Sequence, residues 1–489
     1  MGSMLNIPSR MEGPEQKTII GKPEITVSGK GIANGKSVYL NDGADFGPDT
    51  KLGATTPGQY GPPYTISSGI VEALSYSKNV VVLPANYSIQ TYIGLTNQHI
   101  TFMPGVTINV NGQTEAINLT NANGAVIKGN EVALSGFTNQ AIAVYAATYF
   151  ELYDVTCNGS TTPGTNTQIG IVVNGCAGAY IADLKMNNCG NNSTSSPSIA
   201  FLTNGGSNTN MWFVRSKING GTGAFINLIT NSYFIDCSSS GTAEDTWDIA
   251  EGTNNIFTVG LITENAGSYG ITIGATTSTG ICRNIFLTEC SFSNSKGSGI
   301  AVGADIGTDT QIFLSDCNAF QNGQNNNASN QDNSGIVISA SVTNAYLSNC
   351  NSTDYQTTKT QVYGIWNNST TANANIIFDG GNYTGNKTGS YYNNGTYLFK
   401  AQNCSGINFQ GFSITTPALP TGTGSTNAVT NTFPFPVRIY QTGESGTNII
   451  DINGNNVLLP SNPNELILNP NEKIYYSTTV ATSWKWYGI

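Results

Sequence analysis

The sequence predicts an all-β protein, a right-handed parallel β-helix, and three observations lead there. An apolar phrase recurs, as Ser232-Tyr233-Phe234-Ile235-Asp236-Cys237, Ile285-Phe286-Leu287-Thr288-Glu289-Cys290, Ile312-Phe313-Leu314-Ser315-Asp316-Cys317 and Ala345-Tyr346-Leu347-Ser348-Asn349-Cys350. Recurrence about once per thirty residues means stacked units, each burying its face against the next. The segments between carry Gly, Asn and Ser turns with no helical periodicity. Charged residues are only 10 % of the 489, with 56 glycines and many Asn, Thr and Ser in their place; an average soluble protein carries ~25 %.

Residues 1–38 are polar and aperiodic and read as an N-terminal arm. The opening Met1-Gly2-Ser3-Met4 has no charged-then-apolar leader pattern and reads as a cloning remnant before a start at Met4. Either a leader has been removed, or the protein leaves its cell another way, as virion proteins do. Residues 39–110 are expected to hold an N-terminal cap and the first coils. Here Gly43-Ala44-Asp45 and Asp49-Thr50 precede Ser68-Gly69-Ile70-Val71-Glu72-Ala73-Leu74, a short amphipathic helix with Ser68 as cap. Val80-Val81-Val82-Leu83-Pro84-Ala85-Asn86-Tyr87-Ser88-Ile89 then reads as strand, turn, strand.

That order resembles the entrance of the pectate-lyase-like β-helix superfamily, which includes polygalacturonase-related hydrolases and phage tailspike depolymerases. The resemblance covers residues 39–110 in motif and 110–415 in repeat style. It implies that the helix caps the open end of the solenoid. Through the tailspikes it also implies a homotrimer as an assembly open to this chain.

Residues 111–415 are the coils. One strand per coil carries Gly170-Ile171, Ser198-Ile199, Gly223-Ala224, Asp248-Ile249, Gly270-Ile271, Gly299-Ile300, Gly335-Ile336 and Gly364-Ile365. A second carries the opening phrase, its outward position reading Asp154, Asp183, Arg215, Asp236, Gly260, Glu289, Asp316, Asn349, Gly380 and Gly411. Parallel pairing sets equivalent residues ~4.8 Å apart on successive coils, and alternation sends neighbours to opposite faces. Cys237, Cys290, Cys317 and Cys350 share one phase and are expected to stack inside as small apolar thiols. A disulfide framework suits small domains, and no cysteine spacing matches a zinc site. Residues 416–432 have linker composition. Residues 433–489 read as short strands with Asn-Gly and Pro turns, a small antiparallel β-sandwich that could cover the end of the solenoid.

A net charge of −10 and a pI near 4.6 argue against nucleic acid as partner, because phosphate binding needs clustered Lys and Arg. No apolar run is long enough to span a bilayer, so membrane insertion is not expected. Asn-x-Ser/Thr sequons abound, but in so Asn-rich a chain they arise by chance.

The candidate chemistry sits at Glu244-Asp245-Thr246-Trp247-Asp248-Ile249-Ala250-Glu251, the most acidic short stretch, where Asp248 interrupts the column of glycines. Paired carboxylates suit glycoside hydrolysis, one protonated to donate to the leaving oxygen and one ionised to activate water or attack carbon. Crowding of like charges separates their pKa values. Asp245, Asp248 and Glu251 are thus the candidate acids, with Glu244 beside them. Trp247 and Tyr269 are read as one phase on adjacent coils, a stacking surface for a sugar. The alternative is an acidic loop between coils. A second candidate is the outward column, where Glu289 and Asp316 are one coil apart and Asp236 and Glu289 two; calcium could bridge such a ladder. The alternative there is solvated acids ending a strand.

Pectate lyases of this fold pair calcium with an Arg or Lys base, and arginine is scarce here, so a lyase is the weaker expectation. The single histidine, His99, reads as structural. Two functions compete: a hydrolase or depolymerase of a polysaccharide or cell-surface glycan, and a non-catalytic spike, fibre or adhesin that binds one. Both are expected outside the cell or on a virion surface. No organic cofactor is expected.

Overall fold

The computed structural model describes residues 25–27, 45–160, 168–190, 201–203, 206–250, 252–274, 280–303, 308–325, 333–339, 341–368, 375–393, 400–407, 412–413, 416–433, 436–442, 448–452, 455–458, 465–476, 481 and 483–488. Short parallel strands repeat in a fixed order and wind a right-handed β-helix, the hand that parallel crossovers adopt. The described middle coils have three strands each, one more than the two repeated phrases mark. One representative coil is Ile229–Ile235, Ser238–Ser240 and Trp247–Ile249; the next is Asn254–Val259, Ile262–Glu264 and Ile271–Ile273. The third strands form a 12-stranded sheet, and the other two sets join in a 23-stranded sheet.

The interior is one continuous apolar column. Burial here, not hydrogen bonding, selects the fold, since each coil leaves apolar faces that only another coil covers. Phe213 stacks on Phe234 at 4.9 Å, and Phe234 meets the edge of Trp247 at 5.4 Å. The cysteines line up as expected. Cys290, Cys317 and Cys350 occupy consecutive coils, with Leu261 between Cys237 and Cys290. Their sulfurs lean back on the coil before, Cys317 Sγ 3.5 Å from Leu287 O and Cys350 Sγ 3.6 Å from Leu314 O. All nine cysteines are free thiols. Burial pushes the Cys237 and Cys189 thiols up to about 12, so they act as small hydrophobes.

Outside, side-chain ladders repeat the coil spacing. Asn187 and Asn219 donate amide bonds to Asn158 and Asn187 at 3.0 and 2.9 Å. Trp212, Tyr233, Phe257, Phe286 and Phe313 stand in register as a stacked aromatic file.

Three sequence expectations change. The helix Ile70–Tyr76 has Gly69 at its N-cap, with φ 86°, and Ser67 does the capping assigned to Ser68. Ser67 Oγ accepts from Val71 N at 3.2 Å and donates to Glu72 at 2.5 Å, because Ser68 itself is left-handed and turned away. Within the arm 1–38, Ile25–Val27 pairs in parallel with Val80–Val82, so this stretch adds a strand to the first coil. The stretch 416–432 is more than a linker. Val429–Thr430 pairs antiparallel with Lys473–Ile474, and Leu419 and Phe433 pack on the apolar core of the C-terminal strands. Those strands form two four-stranded antiparallel sheets around Val437, Ile439, Ile474, Tyr476 and Trp486, and Phe412–Ser413 pairs with Tyr487–Gly488.

Candidate active site on the third-strand sheet

The register of the third strands places each candidate. Trp247 pairs with Ala224 and Ile271, Asp248 with Phe225 and Thr272, and Ile249 with Ile226 and Ile273. The expected alignment of Asp248 with Gly270 is therefore two residues out. The glycine column continues through Gly223 and Thr246 to Gly270, and Asp248 belongs to the outward column between Phe225 and Thr272.

Trp247 is 4 % exposed, its ring inside the solenoid and its indole N–H donating to Ser239 Oγ at 3.1 Å. It cannot be a sugar platform. Tyr269 is likewise not its neighbour in phase; it lies opposite Asp245, which receives the Tyr269 backbone N–H on Oδ1 at 3.0 Å. Glu251, together with Ser198-Ile199 and Gly411, lies outside the described residues.

Asp245 and Asp248 do come together. Both meet the hydroxyl of Thr272, Asp245 Oδ2 at 3.3 Å and Asp248 Oδ1 at 3.1 Å. Those two oxygens therefore lie within about 6.4 Å of each other, the two contacts laid end to end. Burial raises the Asp245 carboxyl above the usual range, and bonds from Tyr269 and Ser268 pull against that. Burial, then the charge of Asp245, also raises Glu244. Phe225, half-buried and outward one rung below Asp248, occupies the place expected of Trp247. Sequence reasoning missed Phe225 and Thr272. A usable signal was present: ten positions on from Cys237, Leu261 and Cys290 stand Trp247, Ile271 and Ile300, which are paired in register.

The outward column follows the second of its two readings, residues that end a strand at a turn. Asp154, Asp183, Arg215, Asp236, Glu289, Asp316 and Asn349 all have φ between 49° and 57°, and Gly260 and Gly380 share their place. This is the corner between the first and second strands, and each coil needs one left-handed residue there. Short polar side chains and glycine accept that conformation at least cost. The backbone N–H groups of Asp236, Gly260, Glu289, Asp316, Asn349 and Gly380 each reach a carbonyl on the next coil, at 2.8–3.0 Å. Arg215 and Asp183 form a bidentate pair at 2.9 and 2.8 Å. Among the described residues no group of three or more His, Cys, Asp or Glu is placed to hold a metal ion. His99 is exposed on the first strand of an early coil.

No protein-family model matches the chain, and neither does any curated protein. Solved structures match most of its length. The A-module of mannuronan C-5 epimerase AlgE4 of Azotobacter vinelandii is 12 % identical, covering 68 % of this chain and 84 % of that one, with a TM-score of 0.43. The tailspike protein of E. coli bacteriophage HK620 is 9 % identical, covering 83 % and 85 %, with a TM-score of 0.41. The family 28 exopolygalacturonase of Yersinia enterocolitica is 8 % identical, covering 69 % and 74 %, with a TM-score of 0.36. The chain is a parallel β-helix by its own strand order. Asp248 stands on the outer side of the third-strand sheet, and Asp245 lies in the turn that leads into its strand. No helix among the described residues is long and apolar enough to cross a membrane.

Proposed function

We propose that this β-helix is a polysaccharide hydrolase or depolymerase with Asp245 and Asp248 as its carboxylate pair. The observation that carries the reading is one sheltered hydroxyl, Thr272, touched by two carboxylates on the outer side of one sheet. Asp245, raised by burial, is the acid that donates to the leaving glycosidic oxygen. Asp248 is the anion that attacks the anomeric carbon or activates the water that does, and the anomeric configuration of the released sugar selects between the two. The face of Phe225 supplies the apolar platform for the sugar ring.

The substrate class is an extracellular polysaccharide or cell-surface glycan, and the place of action is outside the cell or on a virion surface. The homotrimer rests on the family resemblance, and sedimentation equilibrium tests it. Incubation with acidic and neutral polysaccharides, read by reducing-end and unsaturated-product assays, tests the activity. Asp248→Asn should abolish cleavage and leave Tm nearly unchanged; activity surviving that change discards the site. A second reading, a non-catalytic glycan-binding spike or adhesin, gains from the burial of Trp247, which leaves Phe225 as the outward ring beside the acids. Binding without cleavage across the panel would select it.

A further inference from the structure

The two acids meet a hydroxyl that has a single hydrogen to give. Thr272 Oγ1 lies 3.3 Å from Asp245 Oδ2, 3.1 Å from Asp248 Oδ1 and 3.4 Å from Trp247 O. With both carboxyls ionised, one hydrogen would face three acceptors. Two contacts would then set lone pair against lone pair, at a residue only 4 % exposed, where solvent cannot relieve them. A second proton removes one of those clashes; burial favours it on Asp245, and the contacts there choose the oxygen. Asp245 Oδ1 already accepts the Tyr269 N–H, so Oδ2, turned to Thr272, is the oxygen that carries it. The Thr272 hydrogen then points to Asp248 Oδ1, its nearest acceptor.

We propose that Asp245 and Asp248 hold one proton between them through Thr272, with Asp245 Oδ2–H donating to Thr272 Oγ1 and Thr272 donating to Asp248 Oδ1. Thr272 is a positioning residue. It keeps one carboxyl acidic and the other anionic at the same pH, the division that acid–base cleavage needs. The inference rests on reading this pair as the site, yet the proton is present with or without a substrate. Glu244 adds like charge from the same loop. Tyr269 and Ser268 face Asp245 from the following coil, Phe225 faces Asp248 from the preceding one, and the coil beyond carries Lys296 and Arg283. Burial of Asp245 acts in the same direction as the geometry.

The test is carbon-13 NMR of aspartate-labelled protein, following the side-chain carboxyls with pH. The wild type should lose the two protons in steps more than about one pH unit apart, the mark of a coupled pair. Asp245→Asn should delete the upper step. Thr272→Val should narrow the gap, and Thr272→Ser should restore it. Should Thr272→Val not fold, Asp245→Asn and Thr272→Ser still decide. The proposal is overturned if the two carboxyls titrate together in the wild type, if Thr272→Val leaves both steps in place, or if the upper step persists in Asp245→Asn. Separated steps without cleavage of any polysaccharide would keep the shared proton and discard the enzymatic reading. Cleavage with carboxyls that titrate together would do the reverse.

Discussion

Truncation of Phe257 to alanine measures how far the outer aromatic file holds the coils together. Its ring lies 5.1 Å from Tyr233 and 4.8 Å from Phe286, at 16° and 5° between planes. Phe313 ends the file with one such neighbour, Phe286, at 4.8 Å. A stacked aromatic pair contributes ~0.5–1.5 kcal/mol beyond area burial. Phe257→Ala gives up two pairs plus the apolar area of a half-buried ring, roughly half of the ~1.5–3 kcal/mol for full burial. The expected loss is ~2–4 kcal/mol, against ~1–3 kcal/mol for Phe313→Ala, which loses one pair and is 36 % exposed to begin with. Urea unfolding followed by far-UV circular dichroism reads this as a shift in midpoint at constant m. A cycle of Phe257→Ala with Phe286→Ala should show a coupling of ~0.5–1.5 kcal/mol. Equal losses at the two positions, or no coupling, would refute the stacking account. The file also bears on function. Rings pressed on both faces offer only their edges, so Phe257→Ala should act on coil packing and leave the sugar platform proposed at Phe225 untouched.

Three further outcomes follow from the same geometry. Burial raises Asp245 in the folded state, so the folded chain binds that proton more tightly than the unfolded one. Its contribution is present below the unfolded pKa and lost as pH rises through the folded pKa. Stability measured from acid towards neutral pH should therefore fall less steeply in Asp245→Asn, and matching slopes would remove the burial argument. At the strand corner Glu289 has φ 55°, so Glu289→Val should cost ~1–2 kcal/mol while Glu289→Asn is at least as stable as the wild type; thermal melts check both. Eight of the nine thiols are buried and Cys404 is partly exposed, so native protein should yield one promptly reacting thiol to a disulfide reagent and the other eight only on unfolding.

The β-helix was legible because burial repeats. An inward thiol or leucine at one phase of every coil leaves a period in the sequence, and Cys290, Cys317 and Cys350 stack as that period requires. The corner column was legible as a column, and its cause stayed open between a ladder of carboxylates and residues that close a strand. Asp, Asn, Arg and Gly share a backbone angle there, and a list of residue types cannot separate charge from conformation. The register of the third strand was lost for a sharper reason. Asp248-Ile249 imitates Gly270-Ile271, and a slip of two residues keeps every side chain on its own face, so alternation raises no objection. Alternation did speak on Trp247: two residues from the inward Ile249, it had to face inward as well. The distance from the cysteine phase would have settled the rest, since it counts whole coils rather than faces. Thr272 shows what remains beyond such counting. Nothing in a threonine one coil away marks it as the hydroxyl between two acids, because that role exists only once coils are laid in register and three acceptors converge on one hydrogen.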